Sequence, residues 1–476
     1  MLRNRFPLLA AATLLQASIL VAQSTLTPLA GFGTNGWLAP GSTPYLTTGN
    51  TERGMSYNPF TGNLVLVARQ NVGGISNNVR ILSGATGADV GGLDNTGFAG
   101  GTFLVNLVDV GDDGAIYACN LATTAASAFK VYKWDSEATG FTTPATVAYN
   151  AVAGVARIGD AFAVTGGLLS PAQFAGAGSN NVSASNFVVG SLDGLNTSTA
   201  YLSVPGTTVA SNDYRLGLTF VDQDTLVGNQ GATARLTSFS AGTSTLDASI
   251  ALGGAARRAL DYAVIGGRNL LAVIDSNSSQ VTVFDITVPS APVVLAQANN
   301  TTGTPNGNTN GSGAVAWGAI SGNTATLYAM ATNNGLQAFQ FTLAPAATAV
   351  TYGTGCDGLT IGTNGVPTIG NAGFEIAVGN VPLISPVAFI AFGSTVVNPG
   401  IDLTLIGMAG CFSYTSFDLG LFGTNPLVGS TGTYPLPIPN NAALAGSSLA
   451  AQGVSLSLLT SLALASSNGL QFTLGF

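Results

Sequence analysis

Three arginines carry the chemistry that most needs placing. Arg53, Arg215 and Arg258 each stand just before an apolar run that reads as the first strand of a repeated unit. Guanidinium groups grip carboxylate, sulfate or phosphate oxygens bidentately, so three brought to one point would make an anion site. Each also has an acid nearby, at Glu52, Asp213 or Asp261, and simple pairing with that neighbour is the alternative. Carboxylates recur as Asp112-Asp113, as Asp160, and as Asp222 with Asp224. Two carboxylates at the right separation can hydrolyse a glycosidic bond. Here each set sits in a short polar segment between two apolar runs, where turn formation accounts for it. The chain has no histidine, which removes Ser-His-Asp and Cys-His catalysis and His-ligated zinc. No catalytic residue, metal or cofactor is expected; a non-enzyme is the favoured class, with carboxylate chemistry left open.

The elements that must hold these residues are strands. Apolar residues come as short runs broken by Gly, Asn, Thr and Ser, the pattern of strands joined by tight turns. Between Arg53 and Leu343 the theme of strand, polar turn, strand, linker and third strand recurs about six times, at a period of about 50 residues. The first unit reads as strands at 55–57, 64–68 and 79–82, the third as strands at 154–158, 161–165 and 187–192. No such unit can bury both faces alone, so neighbours must stack. Antiparallel units of this size fit β-propeller blades, about six of them. The last unit lacks a fourth strand, and residues 43–48 are expected to supply it and close the ring, which removes exposed sheet edges. A small-residue linker at 344–349 then leads to short strands at 374–378, 387–392 and 403–406. The chain ends in alternating Leu470, Phe472, Leu474 and Phe476; one face of that strand must be buried, as in a β-sandwich.

The N-terminus reads as a secretory signal peptide. Arg3 and Arg5 precede an apolar stretch at 8–22, followed by small residues that allow cleavage near Ala22. The expected organisation is a signal peptide at 1–23, a β-propeller at 24–345 and a β-sandwich at 346–476, in a protein secreted or held at the cell surface. No later stretch is long and apolar enough for a transmembrane helix in the mature chain. In an oxidising compartment Cys356 and Cys411 are expected to form a disulfide, while Cys119, in the apolar run 115–119, is expected to be a buried thiol. Formal net charge is −8, and all 13 basic residues lie at or before Arg268. Residues 269–476 therefore hold no cation, which excludes nucleic-acid binding by that part.

Two resemblances run through these repeats. The stretches Arg53-Gly54-Met55-Ser56-Tyr57-Asn58-Pro59, Ile81-Leu82-Ser83-Gly84-Ala85-Thr86-Gly87 and Asp112-Asp113-Gly114-Ala115-Ile116-Tyr117-Ala118-Cys119-Asn120-Leu121, with Phe129-Lys130-Val131-Tyr132-Lys133-Trp134-Asp135, resemble a secreted bacterial family of unknown function. Its propeller-like members imply a fold and no catalytic residue. From Tyr352-Gly353-Thr354-Gly355-Cys356 onward, with Gly410-Cys411, Ile438-Pro439-Asn440, Leu444-Ala445-Gly446, Gln452 and Ser467-Asn468-Gly469-Leu470, the tail is similar to C-terminal modules of secreted planctomycete proteins. That resemblance implies surface association or sorting.

The expected function is an exported, non-enzymatic binding protein. Its channel mouth would take a small anionic or glycan ligand, or a protein partner of the envelope. The alternatives are a carboxylate-dependent carbohydrate-active enzyme on the same scaffold and a structural cell-envelope protein.

Overall fold

A computed structural model of the chain describes residues 24–74, 78–178, 185–202, 212–308, 310–441 and 444–476; the signal peptide expected at 1–23 lies outside the described residues. Contacts divide the described chain into one unit at 24–343 and another at 344–476.

The first unit contains six antiparallel sheets in chain order. Sheet I is Glu52–Asn58, Asn63–Ala68, Asn78–Ser83 and Asp89–Gly92; sheet II is Phe103–Val110, Ile116–Leu121, Phe129–Trp134 and Thr146–Ala151. Sheet III is Ala161–Thr165, Gln173–Ala177, Ser185–Ser191 and Ser198–Leu202; sheet IV is Gly217–Phe220, Thr225–Asn229, Thr233–Ser240 and Thr243–Ala251. Sheet V is Arg257–Ile265, Arg268–Asp275, Val281–Asp285 and Val293–Ala298. Sheet VI is Gly313–Ser321, Thr324–Ala331 and Leu336–Thr342, with Thr25–Pro28 pairing antiparallel along the last.

Burial explains the sequence pattern. Second strands are packed on both faces, as in Ile116–Leu121 where every residue is buried, and most read as largely apolar runs. Fourth strands face water on one side, so Thr243–Ala251 alternates. Apolar clusters lie between consecutive sheets. Val65, Val67 and Ile81 meet Val105 and Ile116, and the pattern continues sheet by sheet to Leu270 and Ile274 against Leu327 and Phe339. A last cluster joins Ala314, Tyr328 and Met330 of sheet VI to Met55, Leu64 and Leu66 of sheet I. The first strands likewise pack in chain order, and that of sheet VI packs on that of sheet I. The six sheets thus form a closed cycle with their first strands inside.

Two expectations are corrected here. The strand that completes sheet VI is Thr25–Pro28, not residues 43–48; Tyr45 and Leu46 instead fill the core between sheets VI and I. In sheet III the first strand is Ala161–Thr165, and residues 154–158 form no strand. The strand after it, Gln173–Ala177, is made of small and polar residues around one Phe, too weakly apolar to stand out.

The second unit holds a five-stranded sheet, in the order Thr348–Tyr352, Leu464–Thr473, Ser448–Leu456, Ala388–Gly393 and Gly420–Gly423. A three-stranded sheet, Thr360–Thr363, Glu375–Gly379 and Gly432–Pro435, shares one core with it: Ile361, Ile376 and Val378 pack with Ile390, Phe392, Leu470 and Phe472. Cys356 and Cys411 are disulfide-bonded. Residues 403–406, expected as a strand, form a 3-10 turn at Thr404–Ile406, because the Asp402 carboxylate accepts the Thr404 N–H at 2.8 Å and holds the chain bent.

Candidate functional site

The first strands of sheets I to VI surround a narrow cavity of about 90 Å³, lined by Gly54, Ser56, Asp109, Thr219 and Asp261 among others. Ligand pockets usually measure about 300–1,000 Å³, so this interior admits water and little else.

Arg53 is the second residue of Glu52–Asn58 and is 8% exposed. Its Nη1 donates to Ser312 Oγ at 2.6 Å, and its buried Nε has no partner. Burial lowers its pKa, with Asp160 opposing the shift. Arg69 stacks on the Phe103 ring at 3.5 Å, donates to the Val105 carbonyl at 3.3 Å and meets the Asn106 side-chain carbonyl. Burial, with repulsion from Arg53, pushes its pKa down to about 9. Asp160, immediately before the first strand of sheet III, accepts from Arg157 Nε at 2.5 Å and Nη2 at 2.7 Å, and from Arg215 Nε at 3.0 Å.

Arg258 lies in Arg257–Ile265, and its buried Nε has no partner. It packs on Gly311, whose φ is +62° and where a Cβ would fall 1.6 Å from Arg258 Nη1. Gly311 adjoins Ser312, the Arg53 acceptor, so both arginines close on one dipeptide. Arg157 and Arg215 thus meet on Asp160, which lines the cavity, and Arg53 and Arg258 meet on Gly311-Ser312. The Glu52 carboxylate faces the Thr47 N–H and Thr51 hydroxyl, and burial raises its pKa. None of the three expected arginines pairs with the acid near it in sequence. Arg215 takes Asp160, Asp213 takes Arg235 at 2.9 Å, and Asp261 faces the cavity.

Asp113 and Asp222 serve turns, accepting the Ala115 and Asp224 N–H groups at 3.1 and 2.9 Å, whereas Asp112 accepts the Gly166 N–H at 2.9 Å and so ties the hairpin of sheet II to sheet III. Asp160 belonged to the same set by sequence. The misread first strand of sheet III put it in an outer hairpin, whereas it stands at the cavity's end. Arg69 follows a strand, and Arg157 lies within the stretch 154–158 that reads as a strand, so neither stands at a strand start in the sequence pattern.

The cavity holds two carboxylates that the sequence reading did not assign to a site. Asp109 accepts from Ser56 Oγ at 2.7 Å, Val164 N–H at 2.7 Å and Val110 N–H at 2.9 Å. Asp261 accepts from Thr219 Oγ1 at 2.9 Å and from the Trp317 and Tyr262 N–H groups at 2.8 Å each. Burial, opposed by these hydrogen bonds, pushes the Asp109 pKa up to about 6 and that of Asp261 to about 7. Both side chains keep a half-accessible face. That face opens on the narrow cavity and not on bulk water. A lone Asp inside an apolar run, as in 105–110 and 260–265, was the available signal.

No protein-family model matches the chain, and no curated protein matches it. Among solved structures the chain is similar to a DUF4623 family protein from Bacteroides eggerthii, with 17% identity and a TM-score of 0.48 over 62% of this chain and 71% of that one. It is also similar to the major Malassezia sympodialis allergen Mala s 1, with 12% identity and a TM-score of 0.38 over 62% and 92%. A third similarity is to a chain of the nidogen/laminin complex, with 11% identity and a TM-score of 0.35 over 53% and 86%. Among the described residues no helix is long and apolar enough to cross a membrane.

Proposed function

We propose that residues 24–343 are a six-bladed β-propeller followed by a small β-sandwich, and that the protein is an exported binding protein whose channel mouth holds an anionic group. The closed cycle of six sheets supports the fold. The leader-like N-terminus and the Cys356–Cys411 disulfide are compatible with export. The observation that carries the function is Arg53: a guanidinium 8% exposed, with a neutral serine as partner and an unpaired Nε. Leaving a buried cation without a counter-ion is costly, and an anion seated beside Arg53, Arg258 and Arg215 relieves that cost. A small carboxylate or sulfate ligand, or an acidic glycan presenting one, fits the planar donors.

Titration calorimetry against sulfated and uronic-acid oligosaccharides tests this. Binding should weaken with salt and disappear in the Arg53→Ala/Arg215→Ala/Arg258→Ala variant. Binding that survives the triple change, or no binding to any anion of the panel, overturns the proposal. Carboxylate catalysis is less well supported, since Asp109 and Asp261 each already accept three hydrogen bonds in a space too small for a sugar ring.

A further inference from the structure

Three loops of the second unit carry large apolar side chains into solvent. Residues 380–387 hold fully exposed Leu383 and half-exposed Ile384. The turn Thr404–Ile406 presents Leu405, 98% exposed, and Ile406. Residues 457–463 present Leu458 and Leu459, the latter 75% exposed. Hydrogen bonds join the loops: Leu456 N–H donates to Ser385 Oγ and Leu462 N–H to the Gly407 carbonyl, both at 3.1 Å. Single exposed leucines are ordinary, but a contiguous apolar patch on a soluble surface marks a docking site.

The chemistry of the loops selects the occupant. Residues 380–387, 403–410 and 457–464 contain no charged side chain. The flanking acids are engaged, Asp402 by Thr404 Oγ1 at 2.6 Å and Asp357 by Ser457 Oγ at 2.7 Å. Four backbone donors within the loops find partners in the same loop. Ser385 donates to the Pro382 carbonyl at 2.8 Å, Ile406 to Leu403 at 3.1 Å, Leu459 to Ser457 Oγ at 3.0 Å and Ala463 to Thr460 at 3.1 Å. Internal satisfaction of the backbone is what hydrocarbon demands of an irregular segment. The unit as a whole carries Asp357, Glu375, Asp402 and Asp418 and no cation, so an anionic surface would repel it. A second copy of a chain of formal charge −8 is disfavoured by the same sign.

We propose that this loop tip inserts into an uncharged, zwitterionic lipid surface, holding the protein to a membrane as a peripheral anchor that does not span it. The inference is independent of the arginine site. The full chain should co-sediment with phosphatidylcholine vesicles. The Leu383→Ser/Leu405→Ser/Leu459→Ser variant, its fold checked by circular dichroism, should partition at least about tenfold less. Because the leader is common to both proteins, a local reporter is added: Leu405→Trp should show a blue-shifted emission when vesicles are supplied. Equal sedimentation of the two proteins, no sedimentation of the unmodified chain, or an unshifted Leu405→Trp emission overturns the proposal. So does a dimer, seen by analytical ultracentrifugation without lipid, that the triple substitution dissociates, because the tip is then an interface between copies.

Discussion

Sheets I–III and sheets IV–VI share one polar arrangement, and within it one pair of equivalent positions differs, Asp160 and Ser312. In the first half Asp109, on the first strand of sheet II, takes a hydroxyl from sheet I (Ser56) and an N–H from sheet III (Val164). In the second half Asp261, on the first strand of sheet V, takes a hydroxyl from sheet IV (Thr219) and an N–H from sheet VI (Trp317). Each carboxylate ties three sheets together. The arginines follow the same relation: Arg215 of sheet IV reaches back to Asp160 at the start of sheet III, and Arg53 of sheet I reaches back to Ser312 at the start of sheet VI. The junction of sheets III and IV therefore closes an ion pair, and the junction of sheets VI and I leaves a buried cation facing a hydroxyl. The shared part reads as scaffold; the departure from it reads as function.

The largest effect should come from removing the shared part. Asp261→Ala strands the Trp317 and Tyr262 N–H groups and the Thr219 hydroxyl, and Asp109→Ala does the same to Val164, Val110 and Ser56. Each should lower unfolding stability by roughly 2–4 kcal/mol, given about 1–3 kcal/mol for each donor left without an acceptor and partial rescue by cavity water. Urea denaturation of the two variants measures this. A large loss in one and none in the other would break the equivalence of the halves.

Their titration gives the next effect. Both carboxylates have folded pKa values above the unfolded value of about 3.9: about 6 for Asp109 and about 7 for Asp261. Between the unfolded and folded values the folded state binds more protons, so their contribution to stability is complete below pH 4 and is lost as pH rises towards 7. The melting temperature of the unmodified chain, minus that of Asp261→Asn, should fall across pH 4–7 and level off above it. A difference that rises over this range would place the folded pKa below the unfolded one.

Most of these strands were legible in the sequence, because those buried on both faces, such as 64–68 and 270–274, are runs of Val, Ile, Leu and Ala. The disulfide was legible from compartment and count. What failed was local. Residues 173–177 are too small and polar to announce a strand, so sheet III was read one strand early and Asp160 was placed on the wrong side of it. Residues 43–48 lie closer to sheet I in sequence than Thr25–Pro28, yet Tyr45 and Leu46 gain more from burial than from pairing. The hubs Asp109 and Asp261 needed the cycle to be closed before their cross-sheet partners, about 50 residues away in sequence, could be seen. For the arginines, the sequence placed them before first strands but did not show their partners, Ser312 and Asp160.

Exchanging the residue at this pair of positions should convert one junction towards the other. Ser312→Asp sets a carboxylate against Arg53, as Asp160 stands against Arg215. It should weaken anion binding about tenfold and raise stability by about 1 kcal/mol, since it pairs a cation that is already desolvated. Asp160→Ser should do the reverse, releasing Arg157 and Arg215 at some loss of stability. If Ser312→Asp leaves anion affinity unchanged, Arg53 is not part of the site.

The smallest effect concerns how Arg258 is seated. Gly311 has φ +62°, a conformation that a residue with a Cβ adopts at a cost of about 1 kcal/mol. The added methyl would also occupy the space of the Arg258 guanidinium and force it away from Ser312. Gly311→Ala should therefore reduce anion affinity by about threefold, close to the loss in Arg258→Ala. The double variant should bind no more weakly than Arg258→Ala alone, because both changes remove the same contact. Additive losses would mean that Gly311 shapes the mouth through its own backbone, and that Arg258 contributes from elsewhere.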